Sequence, residues 1–153
     1  MADAPQQPSF QIEKIYVKDI SLEIPNAPQV FLEAQGPQLE IQVRNESAQF
    51  AEGLYEVVIT VTVTAKAGDK TMFLAEAAQA GIFALRGVSQ DDLEPLLAVA
   101  CPTILYPYAR ETISDLVGRG GFPPVLLAPV SFEAIYAQRQ QQAAAGPRIE
   151  LAS

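Results

Sequence analysis

From Ser9 to Ile24 apolar and polar residues alternate, but imperfectly. Even positions carry Phe10, Ile12, Tyr16, Ile20, Leu22 and Ile24, interrupted by Lys14 and Lys18. Odd positions carry Gln11, Glu13, Asp19, Ser21 and Glu23, interrupted by Ile15 and Val17. A period near two predicts one long strand. PNAP (25–28) ends it, because proline donates nothing to a ladder and restricts the residue before it. QLEIQVR (38–44) alternates cleanly, with Leu39, Ile41 and Val43 on one face. GLYEVVITVTVTA (53–65) does the same, with Tyr55, Val57, Ile59, Val61 and Val63 opposite a Thr-rich face. AKAGDKT reads as a hairpin turn, with Gly68 free to take positive φ. The alanines of TMFLAEAAQAGIFAL (71–85) would suit a helix, but the hairpin returns the chain beside its predecessor, which predicts a strand. Leu74 and Glu76 then share one face, and Phe73 and Ala75 the other.

Beyond residue 88 the pattern changes. Ser89 followed by Asp92 predicts a capped helix start near 90, with Pro95 tolerated in the first turns. Pro102 and Pro107 would each break an unbroken helix at about 3 kcal/mol. A break is therefore expected near Cys101–Pro102, with a restart to about 118, closed by Gly118, Gly120 and Gly121. FPPVLLAPV (122–130) is extended and proline-pinned, and Ser131 can cap a short last helix carrying Phe132, Ile135 and Tyr136.

Four strands followed by helices predict an α+β domain, a four-stranded antiparallel sheet with helices packed on one face. The expected organisation is a mobile tail (1–8), a single domain (9–141) and a flexible tail (142–153). One helical layer leaves the other sheet face to water or another chain. The restarted helix is apolar on a wide arc, and residues 71–85 are apolar on both faces. Both fit either a thick monomer core or, as the favoured reading, a symmetric oligomer, with Ile104, Leu105, Tyr108, Thr112, Ile113 and Leu116 as candidate interface residues. Phe31, Phe122 and Phe132 with Tyr136 lie outside regular strands beside prolines. They either line a groove for apolar side chains or close the ends of the core.

Charge narrows the partners. Ten basic against eighteen acidic residues give −8, which disfavours nucleic acid and anionic membrane and favours a basic protein. The absence of histidine removes Ser–His–Asp, Cys–His and His-based zinc chemistry, and one cysteine cannot build a zinc site. No metal and no cofactor is therefore expected. The acids of DDLE (91–94) suit a first helical turn better than a calcium site. A lone cysteine, an N-terminus without a signal-like run and no stretch long enough to span a bilayer predict a soluble cytoplasmic protein. Cys101 raises one enzymatic alternative, a thiolate stabilised at a helix start, but no base stands near it in the sequence.

FQIEKIYVKDISLEIPNAPQVF (10–31) resembles the SecB family of bacterial protein-export chaperones. So do AGIF (80–83), CPTILYPYARETISDLVGRGGFPP (101–124) and LAPVSFEAIY (127–136). The resemblance implies a homotetramer built as a dimer of dimers. It implies a holdase that needs no ATP, keeps unfolded preproteins competent for translocation and hands them to the motor SecA, with no catalysis. The family's acidic sheet face binds the zinc-bearing C-terminal tail of SecA, and the matching positions are Asp19, Glu23, Leu74 and Glu76. The zinc belongs to the partner. The family's apolar client groove corresponds to Phe31, Leu39, Ile41, Val43, Phe122, Phe132, Ile135 and Tyr136. Ala80 and Ser131 depart from the family's usual glycine and asparagine. An acidic oligomeric adaptor that binds a basic protein without holding clients is the alternative.

Overall fold

The structure, a computed structural model, describes residues 7–145. The elements are β1 (Ser9–Glu23), a 3₁₀ turn (Gln29–Leu32), β2 (Gln38–Ala51), β3 (Leu54–Ala67) and β4 (Lys70–Arg86), then α1 (Gln90–Pro95), a π-helical turn (Leu96–Ala100), α2 (Cys101–Arg119) and α3 (Phe132–Ala145). The strands form one antiparallel sheet in the order β1-β4-β3-β2, and the helices pack on one face of it, as the pattern predicts. Gly53 and Gly68, both at positive φ, turn the two tight hairpins that join β2 to β3 and β3 to β4.

The irregular alternation of β1 has a physical cause. Its register against β4 shifts between Ile12 and Lys14 and again between Val17 and Asp19. Glu13 and Lys18 are thus extra residues, and each bulge reverses the parity that follows. Phe10, Ile12, Ile15, Val17, Ile20 and Leu22 consequently share the face turned toward the helices. β2 is longer than the expected 38–44: Asn45–Ala51 continue to pair with β3 as far as Leu54.

The helical region corrects one expectation. No break occurs at Cys101–Pro102; helical backbone runs from Gln90 to Arg119, passing through Gly118. The turn before Pro102 is wound as a π-helix, so the ladder changes register where the proline withholds its donor. The carbonyl of Ala98, one turn before Pro102, instead takes the side-chain amide of Asn45 at 3.5 Å. The last helix, expected to be short, runs to Ala145 and so enters the segment expected as a flexible tail from 142. Residues 1–6 and 146–153 of the two expected tails lie outside the described residues.

The core lies between α2 and the two central strands. Val57, Ile59, Val61 and Val63 of β3 and Phe73, Ala75, Ala77 and Phe83 of β4 are sealed against Cys101, Leu105, Ala109, Ile113 and Val117. Small residues on β4 let the helix sit close: a Cβ at Gly81 would come 3.0 Å from Cδ2 of Leu105. The extended run after α2 is pinned by the Tyr106 hydroxyl, which donates to the Ala128 carbonyl, while Val125 and Leu127 are buried.

Candidate functional site

The sheet face away from the helices is read row by row from the strand register. Glu23 of β1 stands opposite Leu74 of β4, Leu74 opposite Thr64, and Thr64 opposite Glu40 of β2. The next row is Ser21, Glu76, Thr62 and Gln42, and the one after it Asp19, Ala78, Thr60 and Arg44. Cross-strand neighbours have Cβ atoms about 4.5–5.5 Å apart. Asp19, Glu23, Leu74 and Glu76 are therefore brought together on one face, across two adjacent strands. Asp19 and Glu23 are exposed, Leu74 and Glu76 half-buried. The Thr62 hydroxyl donates to Glu76 at 3.0 Å and orients its carboxylate without neutralising it. Glu40, which sequence reasoning did not single out, extends the row; the alternation of QLEIQVR, which sets it opposite in phase to Leu39, carried that signal.

Two rows away the same face is electrically closed. Ala78 and Ala80 of β4 are small enough for side chains of β1 to lie across them toward β3. Lys18 pairs with Glu56 at 2.7 Å, and the Tyr16 hydroxyl donates to the other oxygen of the same carboxylate. The hydrogen bond from Lys18, then that from Tyr16, hold the Glu56 carboxyl below its ordinary pKa. Burial, followed by the Glu56 hydrogen bond, pushes Tyr16 up to about 12. Among the described residues, Asp19, Glu23, Glu40 and Glu76 stand together at one end of the face with no cation in ion-pair reach.

On the helical face, α2 covers β4 and β3 and leaves the outer strands partly bare. Ile12, Val17 and Ile20 of β1 are 46–49% exposed, and Leu39 and Ile41 of β2 are 43–44% exposed. Of the proposed groove residues, Val43, Phe132, Ile135 and Tyr136 line one small cavity, together with Asn45, Ala98 and Arg139. Phe31 stacks on Phe122 with ring centroids 5.2 Å apart, and Phe122 meets Phe73 at 4.9 Å. Phe122 and Phe132 are buried, whereas Phe31, Leu39, Ile41 and Ile135 remain accessible. Phe122 and Phe132 therefore close the core, while Phe31 keeps accessible surface. Beside the small cavity lies a cleft of about 550 Å³, between Asn45 and Ser47 of β2, Glu94 and Leu97 of the first helical stretch, and Tyr136 and Arg139 of α3. Asn45 Oδ1 is buried there without a partner. Sequence reasoning missed the β2 side of this cleft because it ended the strand at Arg44.

The candidate interface residues separate into two rows one residue apart on α2. Leu105 and Ile113 point into the protomer's own core, with no exposed surface, and are corrected to core residues. Ile104, Tyr108, Thr112 and Leu116 form the neighbouring row at four-residue spacing; Tyr108 is exposed and the others half-buried. Cys101 is fully buried inside a continuous helix, and burial pushes its thiol up to about 12. The helix start that would stabilise a thiolate is therefore lacking, and with it the physical basis of a thiol enzyme.

Residues 3–143 match the family described as preprotein translocase subunit SecB. The chain belongs to the SecB family. It is 62% identical over 139 residues to the protein-export protein SecB of Methylobacillus flagellatus, covering 91% of this chain and 88% of that one. It is 63% identical over 141 residues to the protein-export protein SecB of Chromobacterium violaceum, covering 92% and 94%. A solved Mycobacterium tuberculosis SecB-like chaperone, in complex with a peptide from the HigA1 antitoxin, shares the fold with a TM-score of 0.67. That match is 22% identical and covers 80% of this chain and 91% of the other. No helix among the described residues is long and apolar enough to cross a membrane.

Proposed function

We propose that this SecB-family chain is an ATP-independent holdase of protein export, which keeps unfolded preproteins translocation-competent and delivers them to SecA. The observation that carries the reading is that two chemically different surfaces lie on opposite faces of one sheet. The acidic face suits a basic, folded partner, and Asp19, Glu23, Leu74 and Glu76 are the residues for the zinc-bearing tail of SecA. Zinc would be supplied wholly by that tail. The accessible apolar residues Phe31, Leu39, Ile41 and Ile135, backed by Val43, Phe122, Phe132 and Tyr136, suit extended apolar segments of a client, which can also bond to the free edge of β2.

The working form is a homotetramer, a dimer of dimers, in the cytoplasm. Ile104, Tyr108, Thr112 and Leu116 of α2 are the protomer's contribution to it. Holding needs no bond making, and the thiol of Cys101 is buried. The direct test is suppression of aggregation of an unfolded preprotein at stoichiometric tetramer and without nucleotide. Suppression is the expected result. Undiminished aggregation beside intact binding of a basic partner would replace the holdase with an acidic adaptor.

A further inference from the structure

Lys18 is the extra residue of the second bulge in β1, and it decides which way the acids point. Val17 stands opposite Gln79 and Asp19 opposite Ala78, so Lys18 has no partner on β4. Ile15 and Val17 face the helices before it; Ile20 and Leu22 face them after it. Were the bulge absorbed by a one-residue slip, Asp19 and Glu23 would turn to the helical face and Ile20 and Leu22 to the outer one. Apolar packing resists that slip only weakly at the bulge itself, because Val17 and Ile20 are 46% and 49% exposed.

A polar clamp sits at this point. Gln79 is buried at 3% exposure on the inner face of β4, directly opposite Val17. Its Nε2 donates to the carbonyl of Tyr16 at 3.2 Å, next to the bulge. Its Oε1 lies 3.3 Å from the Thr112 hydroxyl of α2, whose single proton it shares with the Tyr108 carbonyl at 2.9 Å. Because a carbonyl only accepts, the Gln79 amide has a single productive orientation. Buried polar groups are costly unless paired, so the amide favours the one register that brings Tyr16 O within reach. We propose that Gln79 is a positioning residue: it locks the Lys18 bulge and thereby presents Asp19 and Glu23 on the outer face. The inference rests on the reading of that face as a docking surface for a basic partner.

The test is Gln79→Glu in the full-length assembled protein at neutral pH. An ionised carboxylate has nearly the same shape and cannot donate to Tyr16, whereas a buried carboxyl that keeps its proton can. Gln79→Met, which removes the donor in either case and adds no charge, is therefore the deciding variant. Two readouts are taken, amide hydrogen exchange along β1 and calorimetric affinity for a Lys/Arg-rich peptide. The expected result is faster exchange confined to residues 17–23 and peptide binding weakened about tenfold, the scale of one buried hydrogen bond. Deleting Lys18 in the same variant is expected to restore slow exchange, since a strand without the extra residue needs no bulge; exchange alone is read there, because the deletion also removes the cation of Glu56. A purely structural loss would not be repaired by that deletion. Unchanged exchange in the Gln79 variants, or failure of the deletion to restore it, overturns the proposal. If the unmodified protein does not bind the peptide, the acidic-face reading falls, while exchange and its rescue still decide the role of Gln79.

Discussion

Substituting Gly81 by alanine tests how closely α2 is seated on the sheet. Gly81 has ordinary strand backbone, so a side chain meets no conformational barrier there, and the entropy of the unfolded chain favours alanine by about 0.4–1 kcal/mol. Packing opposes it. The new Cβ would lie 2.9 Å from Cε2 of Phe83 and 3.0 Å from Cδ2 of Leu105. Both neighbours are fully buried. Overpacking of this kind costs about 1–3 kcal/mol, so the clash should outweigh the entropy by about 1–2 kcal/mol. Each kcal/mol corresponds to about 2–4 °C in Tm for a chain of this length. Leu105→Ala alone leaves a cavity and should cost about 2–5 kcal/mol. In the double variant the methyl introduced by Gly81→Ala occupies part of that cavity, so the combined loss should be smaller than the sum by about 1–2 kcal/mol. Urea and thermal unfolding at one fixed protein concentration measure all four corners of the cycle, since the proposed assembly would make stability concentration-dependent. A neutral Gly81→Ala, or strict additivity with Leu105→Ala, would refute the close seating.

Other outcomes follow from single residues. Cys101 should resist iodoacetamide at neutral pH in the folded protein and react readily in denaturant; rapid labelling of the folded protein would contradict its burial. Tyr16 retains its proton in the fold up to about 12, whereas the unfolded chain releases it near 10. Its contribution is thus complete below about pH 10 and lost as pH rises toward 12, so Tyr16→Phe should flatten the alkaline loss of stability in pH-dependent unfolding. An unchanged slope would count against the Tyr16–Glu56 bond. Tyr108→Glu should lower the mass in light scattering with little change in far-UV dichroism, and an unchanged mass would remove Tyr108 from the proposed interface.

The existence of the strands, the β3–β4 hairpin and the two faces of β3 were legible because β3 alternates cleanly and AKAGDKT turns the chain back. β4, apolar on both faces, was assigned only through that turn, and the order β1-β4-β3-β2 was not legible. β1 was legible as a strand but not in its register. Its two bulges reside in the opposing residues of β4, Phe83 to Ile82 and Gln79 to Ala78, which no local window contains. The π-turn before Pro102 escaped for a related reason: a proline penalty assumes a uniform ladder, and here the ladder changes register and Asn45 from a distant strand supplies a donor. On the outer face, parity alone paired Asp19 with Glu23 and Leu74 with Glu76, but joining the pairs required the β1–β4 register. On α2, spacing alone gave one wide apolar arc. Only the position of the sheet separates Leu105 and Ile113, which it buries, from Ile104, Tyr108, Thr112 and Leu116.

The central claim is that one sheet carries two separable surfaces, and charge reversal at Glu76 tests it most directly. Glu76→Lys changes the local charge by two units on the outer face and touches nothing on the helical face; at about 6 Å in high dielectric that is on the order of 1.4 kcal/mol, or about tenfold in affinity. Calorimetric titration of the variant with the SecA tail and, separately, with an unfolded preprotein gives both affinities. The account predicts SecA-tail binding weakened about tenfold or more, with preprotein binding unchanged. Equal loss of both would contradict it.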